Sequence, residues 1–102
     1  MNTQAEPQTL DQAFSRINEE LLEMFIKKHK DYGKGNILAI KELGIAVRIM
    51  EKAQRLMNLL VTGQAPTNES IEETWTDIAV YANVAKMYRR GWFEKLELDK
   101  GK

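Results

Sequence analysis

The chain has 102 residues, 43% of them hydrophobic, and its fifteen basic and fifteen acidic side chains cancel at neutral pH. This length predicts one domain over 1–102, with a core small enough that further burial through oligomerisation is expected. Balanced charge argues against a DNA- or RNA-binding protein, because affinity for polyanions would have to come from local clusters. With no cysteine and one histidine, the chain cannot build a thiolate or imidazole cage, so any metal would be a hard cation bound by oxygen.

The first nine residues, MNTQAEPQT, are polar and lack the basic and then apolar segments of a secretory signal. No uninterrupted apolar run approaches the length that spans a membrane. We therefore expect a cytoplasmic protein without a membrane partner. Segments 1–8 and 94–102 are expected to be mobile ends of the domain.

A first helix is predicted over about 10–30, because apolar residues recur there at steps of three or four. Thr9 or Asp11 could cap its start. The apolar stripe of this helix consists of Leu10, Phe14, Ile17, Leu21 and Phe25.

The second helix, predicted over about 45–61, is apolar on two sides, which is typical of a helix that is central or lies at an interface. Gly44 is predicted to separate it from a short leading turn. The first apolar face contains Leu43, Val47, Met50, Gln54 and Met57, and the second contains Ile45, Ile49, Leu56 and Leu59.

A third helix is predicted over about 69–90 and ends at Gly91. Its buried stripe is predicted to be Ile71, Trp75, Ile78, Ala82 and Ala85. Trp92 and Phe93 are expected to fold back on the bundle. Because no stretch alternates with period two, the sequence predicts an all-α fold, a bundle of three main helices that oligomerises.

The segment HKDYGKGN, 29–36, joins the first two helices and is rich in charge and glycine. One interpretation is an ordinary helix stop with a solvated turn. The other is an anion site, in which Lys30 and Lys34 supply charge and Tyr32 offers a ring to a base. In that case Gly33 and Gly35 would adopt left-handed dihedrals, so that the backbone could approach the ligand closely.

A mixed stripe of charge follows one flank of the second helix. Its members are Arg48, Glu51, Lys52 and Arg55. One interpretation is a solvated ridge of weak ion pairs. The other is a groove that binds phosphates through guanidinium and ammonium groups, since the helix is apolar on both sides of the stripe.

Glu73 and Asp77 lie one turn apart on the third helix, and paired carboxylates can hold a divalent cation against phosphate oxygens. For Glu73 there is a competing interpretation. The sequence Ser70-Ile-Glu-Glu73 matches a capping box, in which Glu73 returns a hydrogen bond to the backbone of Ser70. Asp77 lies beyond the first helical turn, where neither a cap nor the helix dipole explains it.

Three ordered blocks, DYGKGN, LGIAVRIMEKAQRLMNLL and ESIEETWTDIAVYANVAKMYRRG, together resemble a known family. The family is the small phage and bacterial proteins called nucleotide modification associated domain 1, which look related to the MazG-like all-α nucleotide pyrophosphatases. The resemblance covers about 27–91. It implies a helical bundle that dimerises or assembles further and holds magnesium and a nucleotide between its helices.

The resemblance also implies roles for particular residues. Three carboxylates would bind magnesium and form the catalytic centre: Glu51, Glu73 and Asp77. Lys52 and Arg55 would contact phosphates. Four residues would close the site: Lys30, Asp31, Tyr32 and Lys34.

The chain departs from the MazG pattern, in which one helix carries Glu-x-x-Glu and a later helix carries Glu-x-x-Asp. Here Glu51 is followed by a lysine, and the pair Glu73 and Asp77 is spaced one residue further apart. A two-metal hydrolytic site needs several carboxylates to offset its positive charge. The predicted site has only three carboxylates among four or five cations, and this composition is better suited to binding phosphates than to binding metal ions.

Two functions from different classes follow. The first, slightly preferred on the resemblance, is a Mg²⁺-dependent enzyme that cleaves a nucleoside triphosphate to monophosphate and pyrophosphate. The second is a phage binding protein, or sponge, that sequesters a cyclic or modified nucleotide used as an immune signal. It would need no cofactor and would stack Tyr32 or Trp92 on the base. A third interpretation is a helical module with a purely structural role.

Overall fold

The structure is a computed structural model that describes residues 5–99. Within that range it contains four helices, α1 (Leu10–Tyr32), α2 (Gly35–Thr62), α3 (Ile71–Arg89) and α4 (Trp92–Lys95), and no strand. The prediction of an all-α fold with three long helices is confirmed. The outermost parts of the predicted mobile ends, 1–4 and 100–102, lie outside the described residues. Between 5 and 99, no helix has both the length and the apolar character needed to cross a bilayer.

Helix α1 begins where the sequence places a cap, because the Thr9 hydroxyl accepts a hydrogen bond from the Gln12 amide. Only the C-terminal half of its apolar stripe is packed. Leu21 is buried and Phe25 packs against the core, whereas Leu10 and Phe14 are exposed. The first two turns of α1 therefore carry an apolar face that nothing within the described chain covers.

Helix α2 begins at Gly35, ten residues earlier than predicted, and the break inside it lies at Lys41 rather than at Gly44. Lys41 has φ 62° and ψ −172°, a backbone region in which a residue with a Cβ is strained. Gly44 serves this bend in another way. A Cβ at Gly44 would lie 2.3 Å from the Cβ of Ile40, so only glycine allows the turn before the bend to approach so closely. The break predicted at Gly44 thus lies three residues from the observed one. The close contact with Ile40 that requires glycine at 44 arises from the bend itself, which the sequence does not reveal.

Gly44→Ala is expected to destabilise the protein by roughly 1–3 kcal/mol, because the new methyl group overpacks against Ile40. Gly35→Ala is the matched control, since a Cβ there has no heavy atom within 4 Å. That variant should be neutral or slightly stabilising. Urea unfolding of both variants checks this, and equal stabilities would contradict the packing explanation.

Helix α3 is the central element and packs against each of the other three helices. The core is built around Ile45, Val84 and Phe93, so α4 folds back as predicted, through Phe93, while Trp92 stays partly exposed. The predicted buried stripe of α3 is wrong at Trp75 and at Ala82, which are both exposed. The face that α3 buries instead begins with Thr74 and continues through Val84. A threonine and an aspartate occupy its N-terminal half, and a pattern of apolar residues cannot detect them.

The loop before α3 ends in the capping box that the sequence predicts. Ser70 accepts a hydrogen bond from the Glu73 amide at 3.0 Å, and Glu73 accepts one from the Ser70 amide at 2.8 Å. Helix α3 therefore begins at Ile71 rather than at 69 and ends at Arg89, with Gly91 in the left-handed region.

Candidate functional site

A cleft of about 370 Å³ opens between the C-terminal half of α1, the middle of α2 and the N-terminal half of α3. This size lies in the usual range for small-molecule sites. Five charged residues line it: Lys28, Arg48, Lys52, Glu69 and Asp77. Aromatic and apolar side chains line the remainder: Phe25, Tyr32, Ile37, Val80, Tyr81, Val84 and Phe93, beside His29, Gly33 and Asn36.

The Lys52 ammonium lies between two carboxylates. Its Nζ is 3.0 Å from Glu69 Oε1 and 2.9 Å from Asp77 Oδ2. The other oxygen of Asp77 lies 3.3 Å from Lys28 Nζ, so this carboxylate, which is 16% exposed, binds two ammonium groups. The network joins α1, α2 and α3 at one wall of the cleft.

Lys52 keeps its charge at any physiological pH. Burial lowers its pKa, but hydrogen bonds and charge from Asp77 and Glu69 outweigh this effect, and the pKa lies above its ordinary value. The two carboxylates are thus held by a permanent cation of the protein itself.

A second layer of the network lies beneath the cleft and fixes the start of α3. Thr74 is fully buried, and its hydroxyl accepts a hydrogen bond from Arg55 Nη1 at 2.6 Å and donates to the Glu69 carboxylate. Arg55 also donates from Nη2 to the backbone carbonyl of Glu69. Arg55, predicted to contact phosphates, is therefore engaged in positioning Glu69 and is not among the residues that line the cleft.

The hydrogen bond from Thr74, reinforced by Lys52, holds the pKa of Glu69 below its ordinary value of 4.5. A carboxylate with a lowered pKa stabilises the fold above its unfolded pKa, and this contribution is lost as the pH falls through the folded value. We expect the free energy of unfolding to drop more steeply below about pH 4.5 in the native chain than in Glu69→Gln. Urea unfolding over an acid series measures the two slopes, and parallel slopes would contradict this assignment.

Arg48 differs from the other cations of the site. It lies one turn before Lys52 on α2, is half-buried and lines the cleft. Within residues 5–99 its guanidinium has no hydrogen-bond or ion-pair partner. A guanidinium that has five donors and no acceptor beside it, on a residue that lines a cleft, favours an external anion.

Aromatic rings also line the cleft. Phe25 stacks on His29 with ring centroids 5.4 Å apart, and His29 meets the edge of Phe93 at 5.8 Å. Tyr32 lines the mouth and is mostly exposed, while Tyr81 is half-buried on α3. The cleft therefore combines cationic groups with ring faces suited to a planar group.

The structure brings together four of the predicted site residues at the cleft: Tyr32, Arg48, Lys52 and Asp77. It does not bring Lys30, Asp31 or Lys34 into the lining. Lys34 instead donates to the Glu94 carbonyl at 2.8 Å and pairs with Glu97 at 2.9 Å, so it ties the α1–α2 turn to the segment after α4. Of the two glycines in that turn, Gly33 has a positive φ, whereas Gly35 is helical and was wrongly predicted to be left-handed.

The three predicted magnesium ligands do not converge in this structure. Glu73 is held in the capping box, Asp77 is held by Lys28 and Lys52, and Glu51 is exposed outside the cleft lining. Among residues 5–99, no three histidine, cysteine or acidic side chains lie close enough together to hold a metal ion. This donor arrangement does not fit the carboxylate site that the resemblance implies.

Sequence reasoning missed Lys28, His29 and Glu69. The first two share a helical face with Phe25 and Tyr32, at steps of three and four residues, and that spacing could have revealed them. Glu69 precedes the cap of α3, where the helix dipole favours acidic residues. Because this effect alone explains an acidic residue there, the sequence offers no reason to expect the ion pair of Glu69 with Lys52.

A second cleft of about 440 Å³ lies between α1, α3 and α4. Its cations are Lys86 and Arg90, and the Arg90 guanidinium lies 4.7 Å from the ring centre of Trp92. Because that cation is already stacked on a ring, this cleft is the weaker candidate for an anion.

Comparisons with protein families, with curated proteins and with solved structures find no match for the chain. Its function is therefore inferred from the cleft.

Proposed function

We propose that the chain binds a nucleotide in the cleft between α1, α2 and α3, with its phosphates held by Arg48. The observation that carries this proposal is that Arg48, a half-buried residue, lines the cleft while its guanidinium has no partner in the described chain. Guanidinium groups bind phosphate oxygens through paired, charge-assisted hydrogen bonds.

The neighbouring charges support the same ligand. Lys28 pairs with Asp77, and Lys52 pairs with both Asp77 and Glu69, so the five charged groups of the cleft leave one net positive charge, which we assign to Arg48. Phosphate oxygens near Arg48 would also be attracted to both ammonium groups, and Lys28, which within the described chain donates only to Asp77, has further protons that can form hydrogen bonds. An anion with one or two phosphates matches this charge better than a long polyanion does.

The aromatic residues of the cleft suit the rest of a nucleotide. A base could stack on Tyr32 or Tyr81, and Asn36 and His29 could bond to its polar edge. Stacking tolerates any base, so the specificity must come from these polar groups and from the shape of the pocket.

Capture of the nucleotide is favoured over hydrolysis because the Lys52 ammonium already bridges Glu69 and Asp77. A magnesium-dependent pyrophosphohydrolase would have to displace that bridge and release Glu73 from its cap. We propose a metal-independent sponge that holds a linear or cyclic nucleotide in the cytoplasm, the compartment in which such nucleotides occur. This suits a phage protein that removes a nucleotide immune signal. We also propose that it acts as a homo-oligomer.

The test is to incubate the purified protein with linear and cyclic nucleotides, with magnesium and with a chelator, and to analyse what is released on denaturation. Recovery of one intact nucleotide in the presence of the chelator is the expected result. Release of monophosphate and pyrophosphate only with magnesium would instead establish the enzyme, and no retention of any nucleotide would contradict both.

A further inference from the structure

The exposed face of α2 carries a regular apolar stripe, here called the α2 seam: Leu43, Val47, Met50, Gln54, Met57 and Val61. These residues follow one another at steps of four, three, four, three and four, which is the spacing of the contact positions in a coiled coil. The five apolar members are between 40% and 83% exposed, and Gln54 near the middle is exposed as well.

The seam lies on the side of α2 that faces away from the core. Ile45, Leu56 and Leu59 are buried on the core side, so α2 packs against the rest of the chain without using the seam. None of the six seam positions carries a charge, and Ala46, Ala53 and Leu60 widen the apolar surface along one edge. Single exposed apolar residues are ordinary, but a continuous stripe of five turns is typical of an interaction surface.

The amount of exposed surface fits a subunit rather than a compact monomer. The chain exposes 7911 Å², whereas a compact monomer of its mass exposes roughly 5,900 Å². Its radius of gyration is 15.5 Å, against about 13 Å for a compact chain of this length. A stable interface buries about 800 Å² on each partner, which is less than this excess of about 2,000 Å², although the excess also includes the uncovered start of α1.

We infer that the α2 seam binds the α2 seam of a second copy of this chain, as a two-fold symmetric helix pair. A heptad stripe is complementary to itself, and uncharged positions on both sides create no repulsion at the centre of the contact. Gln54 is the one polar member. Its amide can bond across the interface, and a polar group among apolar neighbours fixes which residues meet. The seam and the cleft occupy different sides of α2, so dimerisation and ligand binding can be tested separately.

Met50→Glu places a charge in the seam without touching the core, because Met50 is 52% exposed in the single chain. Light scattering after size-exclusion chromatography should give the native chain as a dimer or a multiple of one. It should give Met50→Glu at half that mass or less, with its helical circular dichroism retained. The control is Leu96→Glu, at 56% exposure beyond α4, which should keep the native mass. A monomeric native chain, or an unchanged mass for Met50→Glu, would overturn the inference.

The absence of cysteine from the chain permits a second test that does not disturb the seam by charge. Gln54→Cys lies near the middle of the seam, so a short thiol cross-linker should join two copies whichever way the helices run. Glu23→Cys, exposed on α1, is the control and should remain uncrosslinked under the same conditions. Dimer formation by Gln54→Cys alone supports the inference. Equal cross-linking of both variants, or of neither, would overturn it.

Discussion

Arg48→Gln is expected to lower the affinity for the captured nucleotide by roughly ten- to a hundredfold, because hydrogen bonds to a charged group contribute about 1.5–3 kcal/mol. The same change should leave the melting temperature of the ligand-free protein almost unchanged, since the guanidinium has no partner within residues 5–99 to lose. Isothermal titration calorimetry and thermal unfolding measure the two quantities. A selective loss of binding is what distinguishes a ligand group from a structural one.

Two controls sharpen this test. Arg48→Lys keeps the charge but loses the planar fork, so it should recover part of the affinity. Lys86→Gln removes a cation from the second cleft and should leave the affinity unchanged. Native affinity in Arg48→Gln would show that the phosphates are held elsewhere.

Thr74→Val is expected to destabilise the protein by roughly 2–3 kcal/mol, although the two side chains have the same shape and Thr74 is fully buried. The variant removes the acceptor of the 2.6 Å hydrogen bond from Arg55 and the donor to the Glu69 carboxylate. Arg55 and Glu69 would then both lie partly buried without their hydrogen bond to the Thr74 hydroxyl. For a domain of this size the melting temperature should fall by about 10 °C or more.

Thr76→Val is the matched control, because the Thr76 hydroxyl donates only to the Glu72 carbonyl one turn earlier on the same helix. Its effect should stay within about 0.5 kcal/mol. If the two variants have equal stabilities, then the network of Arg55, Thr74 and Glu69 does not fix the start of α3.

The outline of the fold could be predicted from local rules. Apolar spacing identifies three long helices, and the capping box at Ser70 identifies the start of α3 within two residues. The buried face of α3 could not be predicted in this way. Thr74 and Asp77 occupy it because Arg55 and Lys52 on α2 supply partners, and such pairings between helices have no signature in the spacing of one helix.

The same reason limits the prediction of the site. Arg48 and Lys52 could be grouped from the sequence because both lie on one flank of a single helix, and both line the cleft. Lys28 and Glu69 come to the cleft only through tertiary packing, at sequence distances of 24 and 17 residues from Lys52. The magnesium ligands implied by the resemblance would have to be free to bind a metal ion, whereas the fold pairs Asp77 with two lysines.

The most direct measurement of the proposed function is a titration of isotope-labelled protein with the captured nucleotide, followed by two-dimensional NMR. We predict that the largest shift changes occur at Arg48, including its side-chain Nε–H, and at Lys52 and Tyr81. Changes centred instead on Asn18, Lys86 and Arg90 would place the ligand in the second cleft, and an unperturbed Arg48 would contradict the proposal that this guanidinium binds the phosphates.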